Sequence, residues 1–531
     1  MAIALPDVQT VLDANAADLI ASGNTQGLRE LLKAEAGNVG ATTLAVPYTF
    51  YETSEGPSLN HKVQLGSCAD GNVVFVYASG ADLNANNPQY GPIFMKFGQI
   101  VVIPNIQAGT IITSTEGAYG FAQQRRGNDE SPMPLMSFAL AEKLTFAYAF
   151  RSSSTYDPGG TSQNQGFIHI VGGPNPTTVT LTRGGNVVRG QQDIEIGAWE
   201  YKRLFTDANG EYLITSGKRV MHAINANMSA TAPRFYDSRL VLPPVNDLIA
   251  PPRSGFVSAP YNGTVVVNYV NDKTSTGPSV TDTFTVSPGV PVDWDSSTGA
   301  FDADYEPKGA TRAKASGLIT AFSGADSAGL EACPGCPVKF MSYVIPVPMY
   351  IRNSGDGGNN GIAIMGPFTG QARIYQWNQI TEETELYSFL DPSGNPTDII
   401  QLHRRDGDTP FTATTRAQQN HPASALLSPQ GAGGTDPNSY DMTGDFAGGI
   451  IVSNVPVAVF FNSKQNENGS ITRTFSDVNG ILTPGIHSDD DEQLSFGISP
   501  EFLKAEIKEA EDGLLYRRVL GAGGVESWVV A

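Results

Sequence analysis

The residues best suited to chemistry cluster between 293 and 306. Asp293, Trp294 and Asp295 are followed by Asp302, Asp304, Tyr305 and Glu306. An aromatic face can stack on a sugar ring, and pairs of carboxylates cleave glycosidic bonds. Trp294, Asp293 and Asp295 are therefore the candidate glycan contacts. The plainer alternative is a solvated acidic loop whose tryptophan packs locally. A second cluster, Cys333-Pro334-Gly335-Cys336, has the spacing of a redox pair or of half a zinc site. No second such pair completes a four-thiolate site. The apolar run after Pro337 reads as strand, not as the helix a thioredoxin-like motif opens. A Pro-Gly turn flanked by two thiols is the favoured reading.

Oxygen-rich loops at 356–360 and 488–492 have ligand types suited to calcium, but neither has the EF-hand spacing. A structural ion and a solvated acidic loop are the two readings of these residues. His61, His169, His222, His403, His421 and His487 are scattered singly. Gly217-Lys218 is followed by Arg219 where a phosphate-binding loop needs Ser or Thr. Gly431–Gly434 lacks the strand–turn–helix setting of a dinucleotide site. The sequence assembles no recognisable active site, so the expectation is a protein that is not an enzyme and uses no cofactor. The aromatic surroundings of Trp294 and Trp377 are the places to look for a ligand.

The composition says what must position such residues. The chain has 531 residues, 40% hydrophobic but only 16% charged, with 57 Gly and 35 Pro. Few charges and many turn residues describe short strands joined by tight turns. A net charge of −20, with 53 acids against 33 bases, argues against a phosphate backbone as a partner. Three cysteines are too few for a disulfide scaffold. The first residues carry no basic start or apolar stretch of a secretion signal, and no apolar run is long enough to span a membrane.

Helical periodicity is confined to the two ends. Val8, Val11, Leu12, Leu19 and Ile20 share a helical face in 6–22, and Leu28, Leu31 and Leu32 share one in 26–36. This segment suits either a short oligomeric coil or a helical hairpin packed on the first β domain or on a neighbouring chain. Ser499-Pro500-Glu501 opens a second helix, 499–513, with Phe502, Leu503, Ile507 and Ala510 on one face. Strands 514–520 and 526–531 then pair across a Gly-rich turn.

Between the ends the period is two. Thr178–Arg183, Gly184-Gly185 and Val187-Val188 spell a hairpin. An internal repeat shows in 109–121, 210–224, 317–322 and 448–461, with Thr113, Thr215, Thr320 and Val452 taken as equivalent. A repeat of roughly 100 residues is the size of one β-sandwich. The longer last step places an insertion at 409–443.

The stretches 177–185, 195–205 and 210–224, with Ser453–Phe461, resemble the repeated β domains of IgGFc-binding-type proteins. The resemblance implies β-sandwich modules on an extracellular surface and assigns no binding residue. It departs at 217–220, where Lys218 and Arg219 stand in place of a Pro-containing turn.

The expected fold is mainly β: tandem β-sandwich-like domains with a short helical N-terminal segment and a C-terminal helix plus β-hairpin. Residues 1–40 form the anchor; 41–130, 131–245 and 246–350 are three β domains; 351–495 is a fourth with an insertion; 496–531 is the terminal module. An extracellular composition without a signal peptide resembles a bacteriophage tail-fibre or appendage protein, made in the host cytoplasm and located on the virion. Its expected partners are copies of itself, as a homotrimer, other virion proteins through the N-terminal segment, and a host-surface glycan or protein. Nucleic acid and membrane insertion are not expected. A leaderless bacterial adhesin and a polysaccharide-active tailspike-like enzyme are the alternatives.

Overall fold

The computed structural model describes residues 40–47, 52–53, 56–57, 60–126, 129–149, 167–206, 210–227, 236–240, 245–250, 255–259, 262–270, 279–287, 292–293, 311–326, 329–338, 341–347, 361–368, 370–378, 380–402, 423–428, 439–442, 448–462, 481–483, 489, 516–520 and 526–530. The expected helices at 6–36 and 499–513 lie outside them. The described chain is mainly β, and nearly every ladder is antiparallel. No helix among the described residues is long and apolar enough to cross a membrane.

One pairing scheme occurs four times. Each occurrence is built on a long strand whose two halves belong to different ladders. These strands are Ile111–Ser114 continued by Ala118–Arg126, then Gly210–Asn227, Thr311–Asp326 and Gly449–Asn462. The first half lies between a lead strand and a third strand. Thr113 pairs with Thr43 and Phe75, Thr215 with Leu144 and Thr180, Lys314 with Asp247 and Val266, and Val452 with Val344 and Arg373. The second half lies between a second strand and a return strand. Tyr119, Met221, Thr320 and Ala458 face Gly66, Val171, Ser258 and Met365. Two positions further on, Phe121, Ala223, Phe322 and Phe460 face Pro134, Leu240, Pro334 and Leu482.

This register corrects the third repeat. Lys314, not Thr320, is the equivalent of Thr113, Thr215 and Val452, and Thr320 sits in the second half of its strand. The positions 113, 215, 314 and 452 are then 102, 99 and 138 residues apart. The slot is half-buried at both Thr215 and Lys314, so it accepts either residue type and leaves no residue signature. The extra length of the last step lies in 379–448, which contains the short strands Glu383–Leu386, Ile400–Leu402 and Ser439–Met442. The boundary expected at 130/131 falls within the return strand Asp129–Pro134. Strand Ser342–Val347, expected with the third domain, pairs with the fourth long strand.

A strand that changes ladders loses backbone partners at the crossing, and these must be replaced. A serine does this in three units. Ser114 Oγ and Ser216 Oγ each donate to the carbonyl two residues ahead, Glu116 and Lys218, at 2.6 Å. Ser453 Oγ accepts from the Val455 amide at 3.2 Å and donates to Gln371 O at 3.1 Å. Apolar residues alternate inward along both halves. Tyr212, Ile214, Val220, Ile450, Val452, Val457 and Val459 are all buried.

The four units close on one another in chain order. The return strands Asp129–Pro134, Tyr236–Leu240, Gly329–Pro334 and Ile481–Thr483 converge: the first touches the second and fourth, and the third touches the second and fourth. The second also touches the fourth, so the middle of the ring is filled. One hydrophobic core runs through the first, second and fourth units, with Phe97, Tyr119, Val171, Met221, Ile374 and Ile450 among its members.

Candidate functional site

The recurring site of the molecule is the joint between successive units. A tight turn receives the preceding unit. In the first unit this turn is 96–99, where Gln99 N donates to Lys96 O and Gln99 Oε1 accepts from Lys96 N. In the second it is 197–200, where Glu200 N donates to Gly197 O and Glu200 Oε2 accepts from Gly197 N. The residue before the last has positive φ in both, Gly98 at 74° and Trp199 at 56°. A tryptophan rarely adopts this conformation, and it is held here by its N–H donating to Gly173 O at 3.0 Å.

At the joint from first to second unit, the turn 197–200 receives a one-turn helix, Gly80–Asn84. Ser79 caps it, its Oγ accepting from Asp82 N and donating to Asp82 Oδ2. Asn84 Nδ2 donates to Ala198 O at 3.3 Å. Gly80 packs so closely that a Cβ there would lie 2.1 Å from Trp199 O. The Trp199 ring meets Phe138 edge-on at 5.2 Å. Arg219 lies over the other side of this link: Nε donates to Ala141 O at 3.0 Å, and NH2 donates to Phe138 O and Ala139 O at 2.9 and 3.1 Å. Its guanidinium stands 4.9 Å from the Phe138 ring centre. The fourth unit has Pro456 at the position equivalent to Arg219, whereas the second unit uses the guanidinium to bind the chain that connects it to the first.

At the joint from fourth to first unit, the turn 96–99 receives residues 382–384. Thr384 Oγ1 donates to Phe97 O at 3.1 Å, and a Cβ on Gly98 would lie 2.3 Å from Thr384 Oγ1. Lys96 Nζ binds Glu382 Oε2 at 2.9 Å, with both side chains more than half exposed, and the ammonium holds the Glu382 carboxyl below its usual range. Tyr119 OH reaches Gly449 O at 3.5 Å. Asp489 also arrives from beyond the fourth unit. Its N–H donates to Ala41 O and its Oδ1 accepts from Thr43 N, both at 3.0 Å.

Buried ionisable groups recur in the second, third and fourth units. His169 lies parallel to Tyr201, with Nδ1 3.0 Å from the Tyr201 hydroxyl. Tyr201 in turn packs on Gly109 of the first unit. Burial, with Arg203 adding to it, pushes His169 down to about 3. Burial likewise pushes His222 down to about 4, a trend that the Val220 carbonyl only partly opposes. In the fourth unit, burial raises Tyr375 to about 12 beside Arg373, whose guanidinium lies 3.7 Å from Asp398. In the third, Arg312 grips Asp247 through two bonds of 2.8 and 2.6 Å.

Of the predicted glycan residues only Asp293 is among those described. Asp293 pairs with Phe256 at the end of strand Val292–Asp293; Trp294 and Asp295 lie outside the described residues, as do Asp302 and Asp304. Trp377 is 5% exposed inside strand Gly370–Asn378, which removes it as a stacking platform. Cys333 and Cys336 lie on two short strands with different partners: Cys333 pairs with Ser323 on the long strand, and Cys336 with Ile249 on the lead strand. Among the described residues, no group of three or more His, Cys, Asp or Glu is placed to hold a metal ion. Of the acidic loop 488–492, only Asp489 is described, and its carboxylate accepts a backbone N–H.

No protein-family model matches the chain, and no curated protein matches it. The resemblance to IgGFc-binding-type repeats therefore rests on its short motifs alone.

Proposed function

We propose that this chain is a structural protein of a bacteriophage virion, a surface appendage that serves particle assembly and host attachment. One observation carries the reading. The fourth unit meets the first through the same kind of turn by which the first meets the second, so that four β-sandwich-like modules close within one chain. A closed arrangement of head-to-tail contacts hides strand edges that would otherwise recruit other chains. Such a body suits a stiff, displayed scaffold. Its connecting sequences at 151–166, 352–360 and 463–480 are rich in Ser, Asn, Gln and Gly. That composition suits adaptable hydrogen bonding to a host glycan or protein.

In this reading the appendage is a ring-shaped head rather than the shaft of a fibre. The N-terminal segment attaches it to other virion proteins, and three copies associate through that segment. The test is mass spectrometry of density-purified particles from the source culture, with antibody labelling of intact particles. Peptides of this chain should band with the particles, and the antibody should decorate their surface. Recovery only from the cell fraction would overturn the proposal.

A further inference from the structure

The first unit presents an apolar face where the other units are polar. Phe75, Thr180, Val266 and Arg373 are equivalent, because they pair with Thr113, Thr215, Lys314 and Val452. Two residues earlier on each strand, the cross-strand pairs are Val73 with Phe94, Thr178 with Glu195, Thr264 with Thr285 and Gln371 with Gln401. Of these four pairs, only that of the first unit is apolar on both sides. Phe94 is 70% exposed there, with Val73 and Phe75 half-buried beside it. Strand Tyr90–Met95 ends its sheet among the described residues, and Pro92 withholds an N–H from that edge, so it offers side chains rather than a ladder. Ile380, 93% exposed, stands on the fourth-unit side of the same joint. Phe94 lies two residues before Lys96, and Ile380 two before Glu382, so each is within about 7 Å of a member of that ion pair by backbone length. Exposed Glu382, Glu383 and Glu385 follow Ile380, against the single ammonium of Lys96. The surface is apolar with an acidic rim.

The second unit carries the complement. Its hairpin tip 183–189 has Arg183 and Arg189 on either side of Val187, which is 45% exposed, and no acid between them. A Cβ on Gly184, Gly185 or Gly190 would meet nothing within 4 Å, so the tip stands in open space. The hairpin is also the element that follows the third strand of its unit. The corresponding elements of the first and fourth units, Gly80–Asn84 and 382–384, are the ones that dock on a neighbouring turn.

We propose that the 183–189 hairpin of one copy docks on the Phe94–Ile380 face of another, with Val187 against the two apolar side chains and Arg183 and Arg189 against the glutamates. The overall charge of −20 opposes association, so the local pairing of opposite signs specifies which surfaces meet. Giving and receiving surfaces differ, so the contact is head-to-tail, and copies related by a three-fold axis would close into a trimer. The contact lies wholly within the β units and rests neither on the virion reading nor on the N-terminal segment.

The test mixes two full-length variants, Val187→Cys and Ile380→Cys, under mild oxidation by copper–phenanthroline. A disulfide between positions 187 and 380 can then form only between copies. Peptide mass spectrometry should find it roughly tenfold above the link that Val187→Cys makes to a Thr178→Cys control chain. Adding Arg183→Glu/Arg189→Glu to the first variant should lower it roughly tenfold, and adding Glu383→Lys/Glu385→Lys to the second should then restore it. Phe94→Asp in the second variant should abolish it while the unfolding midpoint holds. Trimers held by the N-terminal segment alone would give no excess of the 187–380 link over the control, and that result would overturn the proposal. So would a link that survives both Phe94→Asp and the charge reversal.

Discussion

The two joints that hold the first unit use the same receiving turn but different means. Toward the second unit the contact is buried and aromatic, with Trp199, Phe138 and the three carbonyl bonds of Arg219 fixing a continuous stretch of chain. Toward the fourth unit no chain runs through the contact. Beside the apolar core shared by the two units, it is made by separate contacts from distant parts of the sequence: the Thr384 hydroxyl on Phe97 O, the Tyr119 hydroxyl on Gly449 O, the exposed pair of Lys96 with Glu382, and the close approach at Gly98. The difference shows how ring closure can be achieved. Where the chain enforces proximity, side chains need only set an angle; where it does not, shape complementarity around small residues must do so.

Acid should separate the joints most strongly. His169 and His222 bind a proton near pH 6.5 when unfolded, but only near 3 and 4 when folded. Their contribution is fully present above about pH 7 and is lost as pH falls below 6.5, because the unfolded state then binds more protons. Each histidine contributes about 1.4 kcal/mol per pH unit, so the second unit should lose about 4 kcal/mol by pH 5. Urea unfolding followed at Trp199 should record this loss. His169→Gln should roughly halve the loss, because Gln64 is buried at the equivalent position of the first unit.

Next comes Gly449→Ala. A Cβ there would lie 1.8 Å from Tyr375 O, which is backbone and cannot turn aside. A loss of about 3 kcal/mol in urea unfolding is expected, centred on the fourth unit and its contact with Tyr119. Arg219→Met keeps much of the packing on Phe138 and removes the donors to three carbonyls. About 2 kcal/mol should be lost at the joint between the first and second units, with hydrogen exchange rising at 138–142. Smallest is Lys96→Met: the pair with Glu382 is solvated, so the unfolding midpoint should not move measurably.

Strand positions were legible because alternation and turn chemistry are local. The hairpin expected from Thr178–Arg183 and Val187-Val188 forms between Thr177–Arg183 and Asn186–Val187, its return arm one residue earlier, with Gly184 and Gly185 at φ 53° and 78°, the signs a two-residue hairpin requires. Three of the four repeat positions were legible for the same reason. The third was misplaced because Ile319-Thr320 alternates as well as any Ile-Thr pair, and period two cannot distinguish the halves of one long strand. The joints were not legible. Lys96 and Glu382 are far apart in sequence, and neither residue type signals a partner. Arg219 did stand out as a departure from the repeat, but its role needed the position of the chain at 138–141.

Ring closure is tested most directly by single-particle electron microscopy of the purified full-length chain, with each ring aligned and averaged on its own. Class averages down the axis should show four lobes around a filled centre, with the fourth lobe against the first. A row of four lobes with the first and fourth apart would contradict closure of the chain on itself.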